Sequence, residues 1–257
     1  MSVVFRVVQQ KIKTLEELNL PEILEVFARK KQGFFLVVGP TGHGKSTTLA
    51  SMIELINQNR SSHILTIEDP VEYVYKQKKS IIDQREVKID TKNFQNALRA
   101  MFRQDIDVVL IGEMRGKETI ETAITAAETG HLIFSTLHTN SASQTIHRII
   151  DTFPAGEQKQ IRTQLASSLL GIFSQRLIPS ISGGRIPAFE LLLNNNAVSN
   201  LIREGRIKEI DSYIETSANQ GMISLNNCLA ELVRKGEISV EDAFSYSLKS
   251  QSLEKLL

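Results

Sequence analysis

The sequence predicts an α/β fold: a mainly parallel central sheet covered by helices on both faces, followed by a small, mostly helical C-terminal part. Three observations predict it. Short apolar runs over residues 34–38, 64–67, 108–111 and 132–137 alternate with segments of helical period, the pattern of buried parallel strands joined by crossover helices. The ends of these runs carry glycine, glutamate and histidine, the polar groups expected where such sheets bind ligands. From Ala197 onward, short amphipathic stretches dominate.

Taken in order, residues 3–8 read as a strand. Thr14 and Glu17 form a possible capping box. Pro21 and Glu22 suit the first turn of a helix running to Lys31 or Gln32, with Gly33 as its stop. Residues 34–38 are the first core strand. Leu49, Met52, Ile53 and Ile56 then fall at i, i+3, i+4, i+7, the apolar stripe of a helix. A polar connection over 57–62 leads to the strand 64–67, which ends in Glu68-Asp69-Pro70-Val71-Glu72. Residues 73–87 hold one or two short strands around the solvated lysines Lys76, Lys78 and Lys79. Asp90 or Thr91 caps a helix through Arg103. The strand 108–111 ends in Gly112-Glu113, and Ile120, Ala123, Ile124 and Ala127 mark the next helix. After the strand 132–137, Ser141 or Ser143 opens a helix to Ile150. Ile161, Leu165, Leu169, Ile172 and Phe173 predict one long helix. A Ser182-Gly183-Gly184 turn, a strand over 186–193 and helices near 225–233 and 240–248 complete the chain.

Chemistry concentrates where the first core strand ends. Gly39-Pro40-Thr41-Gly42-His43-Gly44-Lys45-Ser46 matches G-x-x-x-x-G-K-[ST], the phosphate-binding P-loop. Glycines let successive N–H groups turn inward around an anion. The helix behind them offers unpaired N–H groups and a positive dipole end. Lys45 would reach the terminal phosphates, and the Ser46 hydroxyl would ligate Mg²⁺.

Hydrolysis needs a positioned water and neutralised phosphoryl charge. Many P-loop proteins place an aspartate at the end of a second strand; here Gly112 stands there, so Glu113 is the candidate for orienting the attacking water. Glu68 and Glu72 could act on the same water or on the Mg²⁺ shell, with a capping role beside Asp69-Pro70 as the alternative. His131 and His138 flank one strand and would lie more than about 20 Å apart, at opposite ends. His138, at the carboxyl end, is the candidate phosphate sensor; His131 suits a turn or a subunit contact. An arginine from a neighbouring subunit often completes such sites, but Arg85, Arg99, Arg103, Arg115 and Arg148 are not separable by sequence.

Composition excludes several classes. A net charge of +1 gives no global pull toward nucleic acid or anionic lipid. One cysteine allows no internal disulfide, and Cys228 sits in an apolar stripe with Leu225, Leu229, Leu232 and Val233, as a buried thiol would. No apolar run approaches the roughly 20 residues of a membrane span.

Four motifs in order resemble those of the secretion ATPase superfamily that powers type II secretion and type IV pili. Residues 39–50 resemble its Walker A motif, Thr66-Ile67-Glu68-Asp69-Pro70-Val71-Glu72 its acidic box, and Gly112-Glu113-Met114-Arg115 its Walker B. Thr129-Gly130-His131 through Thr136-Leu137-His138-Thr139 resemble its histidine box. Met114 and the lack of cysteines for a metal-binding insert are similar to the pilus-retraction members.

The resemblance implies a RecA-like P-loop core over residues 19–180 and a helical C-terminal subdomain over 181–257. Residues 1–18 would be the last strand and linker of a preceding α/β domain of about a hundred residues. It implies nucleotide binding by Gly39, Pro40, Thr41, Gly42, His43, Gly44, Lys45, Ser46 and Thr47, and catalysis by Glu113, Lys45, Glu68 and His138. It also implies a cytoplasmic homohexamer at the inner membrane that uses Mg-ATP to extract pilin through a platform protein, with no nucleic acid involved. An assembly or secretion motor, or a non-hydrolysing paralogue, stands as the alternative. The chain departs from the family pattern at Ile106, at Gly116, and at Ala197-Val198-Ser199, where retraction members usually carry alanine-isoleucine-arginine.

Overall fold

The computed structural model describes residues 11–257, so the strand expected over 3–8 lies outside the described residues. Thr14 and Glu17 do form a capping box: the Thr14 N–H donates to Glu17 Oε2 at 2.8 Å and the Glu17 N–H to Thr14 Oγ1 at 3.1 Å. It caps only a 3₁₀ turn, Glu16–Leu18, which Asn19 ends in the left-handed region at φ 53°. Helix α1 spans Ile23–Ala28 and stops short of the expected Lys31. Arg60 accounts for the early stop, because its guanidinium takes the carbonyls of Ala28 and Lys30 at 3.1 and 2.8 Å. Gly33 therefore starts a strand instead of ending a helix.

Strand β1 (Gly33–Val38) feeds the P-loop and α2 (Lys45–Asn59). There follow β2 (His63–Glu68), β3 (Ile81–Glu86), α3 (Phe94–Met101), β4 (Val108–Ile111), α4 (Lys117–Glu128), β5 (Leu132–Leu137) and α5 (Ala142–Asp151). Asn93 caps α3, accepting from the Asn96 N–H at 2.8 Å, whereas Asp90 accepts from the Glu86 N–H in the preceding turn. Ser141 caps α5, accepting from the Gln144 N–H. Lys78 is drawn from the solvated loop into an ion pair with Glu54.

One expectation fails outright. Helix α6 covers only Ala155–Ser168, and Leu169–Pro179 is a strand, β6. Its partner β7 (Arg185–Leu193) returns antiparallel. Among the described residues seven strands form one sheet in the order β3-β2-β4-β5-β1-β6-β7, parallel throughout except for the last pair. The boundary drawn at residue 180 thus falls inside a hairpin of the core sheet, and the purely helical part begins with α7 (Asn196–Glu204). It continues through α8 (Glu209–Thr216), α9 (Leu225–Arg234), α10 (Val240–Tyr246) and α11 (Ser250–Glu254).

Helices cover both faces. One apolar layer joins Phe34, Leu36 and Val38 to α3, α4, α5 and α6; the other joins Phe35 and Val37 to α1 and α2. A third layer packs α9, α10 and α11 on Ile178 and Ala188, near the tip of the β6–β7 hairpin. Register then sets the site. Ile67, Ile111 and Ser135 share one row, and Val38 stands beside Leu137. Glu68, Gly112, His138 and the P-loop therefore emerge at the same edge.

Candidate functional site

The strand ends line one cleft of about 350 Å³, bounded among others by Thr41, Lys45, Ser46, Glu68, Glu113 and His138. Lys45 lies at its floor, 6% exposed. Its ammonium donates to the carbonyls of Gly39 and Pro40, both at 2.9 Å, and lies 3.3 Å from His138 Nδ1. Burial lowers the Lys45 pKa, and the negative charges of Glu113 and Glu72 partly restore it. His138 Nε2 faces Glu113 Oε1 at 3.3 Å. With Nδ1 accepting from Lys45, this network selects the tautomer protonated at Nε2.

Glu113 also accepts from Arg115 Nη2 at 2.8 Å. That hydrogen bond, more than the nearby His138, holds its carboxyl below the usual carboxylate range. Glu68 behaves oppositely. It is 8% exposed, and burial raises its pKa despite a 2.8 Å hydrogen bond from Thr66 Oγ1. Gly112 explains the missing aspartate: a Cβ there would lie 3.3 Å from the Ile67 carbonyl and 3.4 Å from Glu68 Cα. A side chain at 112 would be crowded against the end of β2, and Glu113 is the first residue past it that reaches the cleft.

The P-loop residues divide by role. Thr41, Gly42, Gly44 and Ser46 line the cleft. Thr47 lines it too, but its hydroxyl is engaged by Tyr73 at 2.8 Å. His43 turns away: its Nδ1 accepts from the Leu177 N–H at 2.9 Å and its ring meets Tyr246 edge-on. Gly39 requires a glycine, since at φ 145° a Cβ would fall 2.3 Å from the Gln175 carbonyl. His131 stands at the opposite end of β5, Nδ1 3.0 Å from the Ala126 carbonyl and its ring against Phe102.

Sequence reasoning missed the contribution of β6 and β7. Gln175 accepts from Thr48 Oγ1 at 2.6 Å and donates to the His43 carbonyl at 2.9 Å, tying both flanks of the P-loop to the sheet. Arg185 lines the cleft and reaches the Gly42 carbonyl at 3.3 Å. The available signal was the polar Ser174-Gln175-Arg176 interrupting an apolar run. Of the arginines named from sequence, Arg115 alone lines the cleft; Arg85 donates to Gln104, and Arg99 faces Glu118.

Comparison with known proteins places this geometry. Residues 1–234 match the family described as type II/IV secretion system protein. The chain belongs to that family. Among its secretion-ATPase relatives, the chain is 49% identical over 240 residues to the type IV pilus retraction ATPase PilT of Pseudomonas aeruginosa, covering 93% of this chain and 70% of that protein. It is 50% identical over 224 residues to a twitching motility protein of Neisseria gonorrhoeae, covering 87% of this chain and 60% of that one. The crystal structure of the pilus retraction motor PilT with bound ADP superposes with a TM-score of 0.92 at 51% identity, over 97% of this chain and 71% of its own. The family's nucleotide chemistry therefore applies to this fold, and the chain is an ATPase of the secretion family.

Proposed function

We propose that the chain is the motor core of a hexameric ATPase that retracts a type IV pilus, with Lys45, Glu113 and His138 as its reacting groups. The observation carrying this reading is the relay Lys45–His138–Glu113 across three strand ends. It links the phosphate-binding cation to the carboxylate that would polarise water. Resemblance to relatives named for retraction and twitching motility supplies the mechanical task.

In the reaction, water attacks the γ-phosphorus and the β–γ bridging oxygen leaves with ADP. Glu113, kept ionised by Arg115, orients and polarises that water. Lys45 exchanges its loop carbonyls for phosphate oxygens, and the Gly42 to Ser46 N–H groups complete the cradle. His138, already in contact with both Lys45 and Glu113, registers whether the γ-phosphate is present. Beside the phosphate cleft, a second recess of about 340 Å³ is lined by Leu18, Leu20, Thr48 and Pro187 and shares Gly44, Thr47, Leu177 and Arg185 with the first. It suits the base and ribose.

The donors present fit Mg²⁺. Ser46 is exposed in a cleft that also carries the carboxylates of Glu68, Asp69, Glu72 and Glu113, oxygen donors of the kind Mg²⁺ takes. Among the described residues no cluster of three histidine, cysteine or acidic side chains could hold a metal alone. Ser46 would thus share the ion with the nucleotide's own phosphates, where it would neutralise charge on the transferred group. Among the described residues no helix is long and apolar enough to cross a membrane. The reading places the ring in the cytoplasm, against an inner-membrane platform protein.

ATP turnover measured over rising protein concentration tests this. Steep growth of specific activity, abolished in Glu113→Gln, is the expected result. Turnover unchanged in Lys45→Ala would overturn it. Complementation of a retraction-deficient strain then separates retraction from assembly, since loss of retraction leaves excess static pili and loss of assembly leaves none.

A further inference from the structure

We propose that Glu190 is a positioning residue for His138, clamping from β7 the turn that presents its imidazole to Lys45 and Glu113. The proposal rests on the reading of the cleft as an ATPase site.

The turn between β5 and α5, residues 138–141, carries His138 and ends in the N-cap Ser141. Two cross-strand neighbours of the β6–β7 hairpin, Ser174 and Glu190, hold it. Ser174 Oγ donates to the Asn140 carbonyl at 3.0 Å, and Glu190 Oε1 accepts from the Ala142 N–H at 2.8 Å. These contacts fall on the two residues flanking Ser141, so the hairpin fixes the chain two residues past His138. Arg176 adds a longer contact to the same Asn140 carbonyl, at 3.4 Å. Without this grip the turn would keep Thr139 with Thr145 and the Asn140 N–H with Gln144, and the imidazole its 3.3 Å contacts with Thr41, Lys45 and Glu113, but none of these fixes the backbone at 140–142 to the sheet. The hairpin clamp ties the histidine to the strand that also carries Gln175, and so to the P-loop.

The clamp is sensitive to charge. A carboxylate suits the first N–H of a helix, where the dipole is positive. Loss of hydration opposes it and pushes the Glu190 carboxyl up to about 7. The groups facing it are Asp211 on α8, which disfavours its charge, and Arg176 on β6 and Lys249 before α11, which favour it. Glu215 pairs with Lys249 at 2.9 Å and blunts that support, while Tyr246 on α10 stands near Arg176. Asp211 Oδ1 is itself buried without a hydrogen-bond partner. Near neutral pH the clamp therefore exists in two states, and the tighter one is ionised.

The test compares wild type, Glu190→Gln and Glu190→Ala. Turnover is read as kcat and KM from about pH 6 to about pH 8.5, and the His138 ring resonances are followed by NMR over the same range. The expected result is a step near pH 7 in the wild-type kcat that is absent in Glu190→Gln, which keeps the acceptor but cannot ionise, together with a pH profile of the His138 resonances that differs between the two proteins, since any imidazole also titrates in this range. Glu190→Ala should lose about tenfold in kcat with KM for ATP changed less than about threefold, because only orientation is lost. Should Glu190→Ala fail to fold, Glu190→Gln decides through the pH step. An unchanged step in Glu190→Gln, or Glu190→Ala with wild-type kcat and His138 resonances, would overturn the proposal. An inactive wild type whose His138 pH profile still differs from that of Glu190→Gln would reject the motor reading and leave the clamp standing.

Discussion

Glu113 and Arg115, two residues apart on the turn after β4, share a hydrogen bond of 2.8 Å at the mouth of the cleft. Arg115 is exposed and Glu113 only a quarter so, which makes the arginine a removable support for a fixed carboxylate.

Removing that support should move the acid side of the pH profile. Glu113 titrates below the usual carboxylate range in the folded protein, chiefly because Arg115 bonds its charged form. In Arg115→Ala the carboxyl should gain a proton at a higher pH, so the acid limb of kcat/KM shifts upward. Glu113→Gln should lose about a hundredfold or more in kcat while still binding nucleotide. An acid limb that stays put in Arg115→Ala would detach Glu113 from that limb.

Lys45→Ala should abolish tight nucleotide binding without unfolding the loop. Besides the ammonium's bonds to the Gly39 and Pro40 carbonyls, the loop's shape is held by Gln175 and by the glycine at 39, and these remain in the variant. Calorimetric titration with ADP should show affinity down by at least about tenfold, with the melting temperature close to wild type.

Gln175→Leu should destabilise the protein by about 1–3 kcal/mol, because it strands the Thr48 hydroxyl and the His43 carbonyl. Thermal melts of Gln175→Leu, Thr48→Val and the double variant check this. The double variant should cost less than the sum of the two, as expected when a buried pair is removed together.

Cys228 should be silent to thiol reagents until the chain unfolds. Burial pushes its thiol up to about 11, and its Sγ is occupied by the Phe189 N–H at 3.4 Å. Labelling against guanidinium concentration should follow the unfolding curve of the C-terminal helices and not precede it.

Much of this was legible in the residues, and the exceptions share a cause. Strands 34–38, 64–67, 108–111 and 132–137 were readable because each is a compact apolar run followed by a polar strand end. β6 was not. It lies between β1 and β7 and is buried on both faces, so it shows no alternation, and Leu165, Leu169, Ile172 and Phe173 happen to keep helical spacing across the α6–β6 junction. Gln175 and Arg176 went unseen with it, and Glu190 went unseen although its strand was read over 186–193, because their value depends on a pairing no local pattern encodes. The early end of α1 was hidden for a similar reason: Arg60, 32 residues away from Ala28, supplies the stop.

The β6–β7 hairpin also bears on modularity. β6 runs parallel to β1, so its far end, Ile178, lies beside the P-loop, and α9, α10 and α11 pack there. Tyr246 of α10 lies against the His43 ring. A chain cut after β7 would bare Ile178, Ala188 and one side of the phosphate loop at once. The C-terminal helices thus brace the phosphate loop from behind its cleft, and a domain exchange that grafted another tail onto this core would have to rebuild that backing for Ile178, Ala188 and His43.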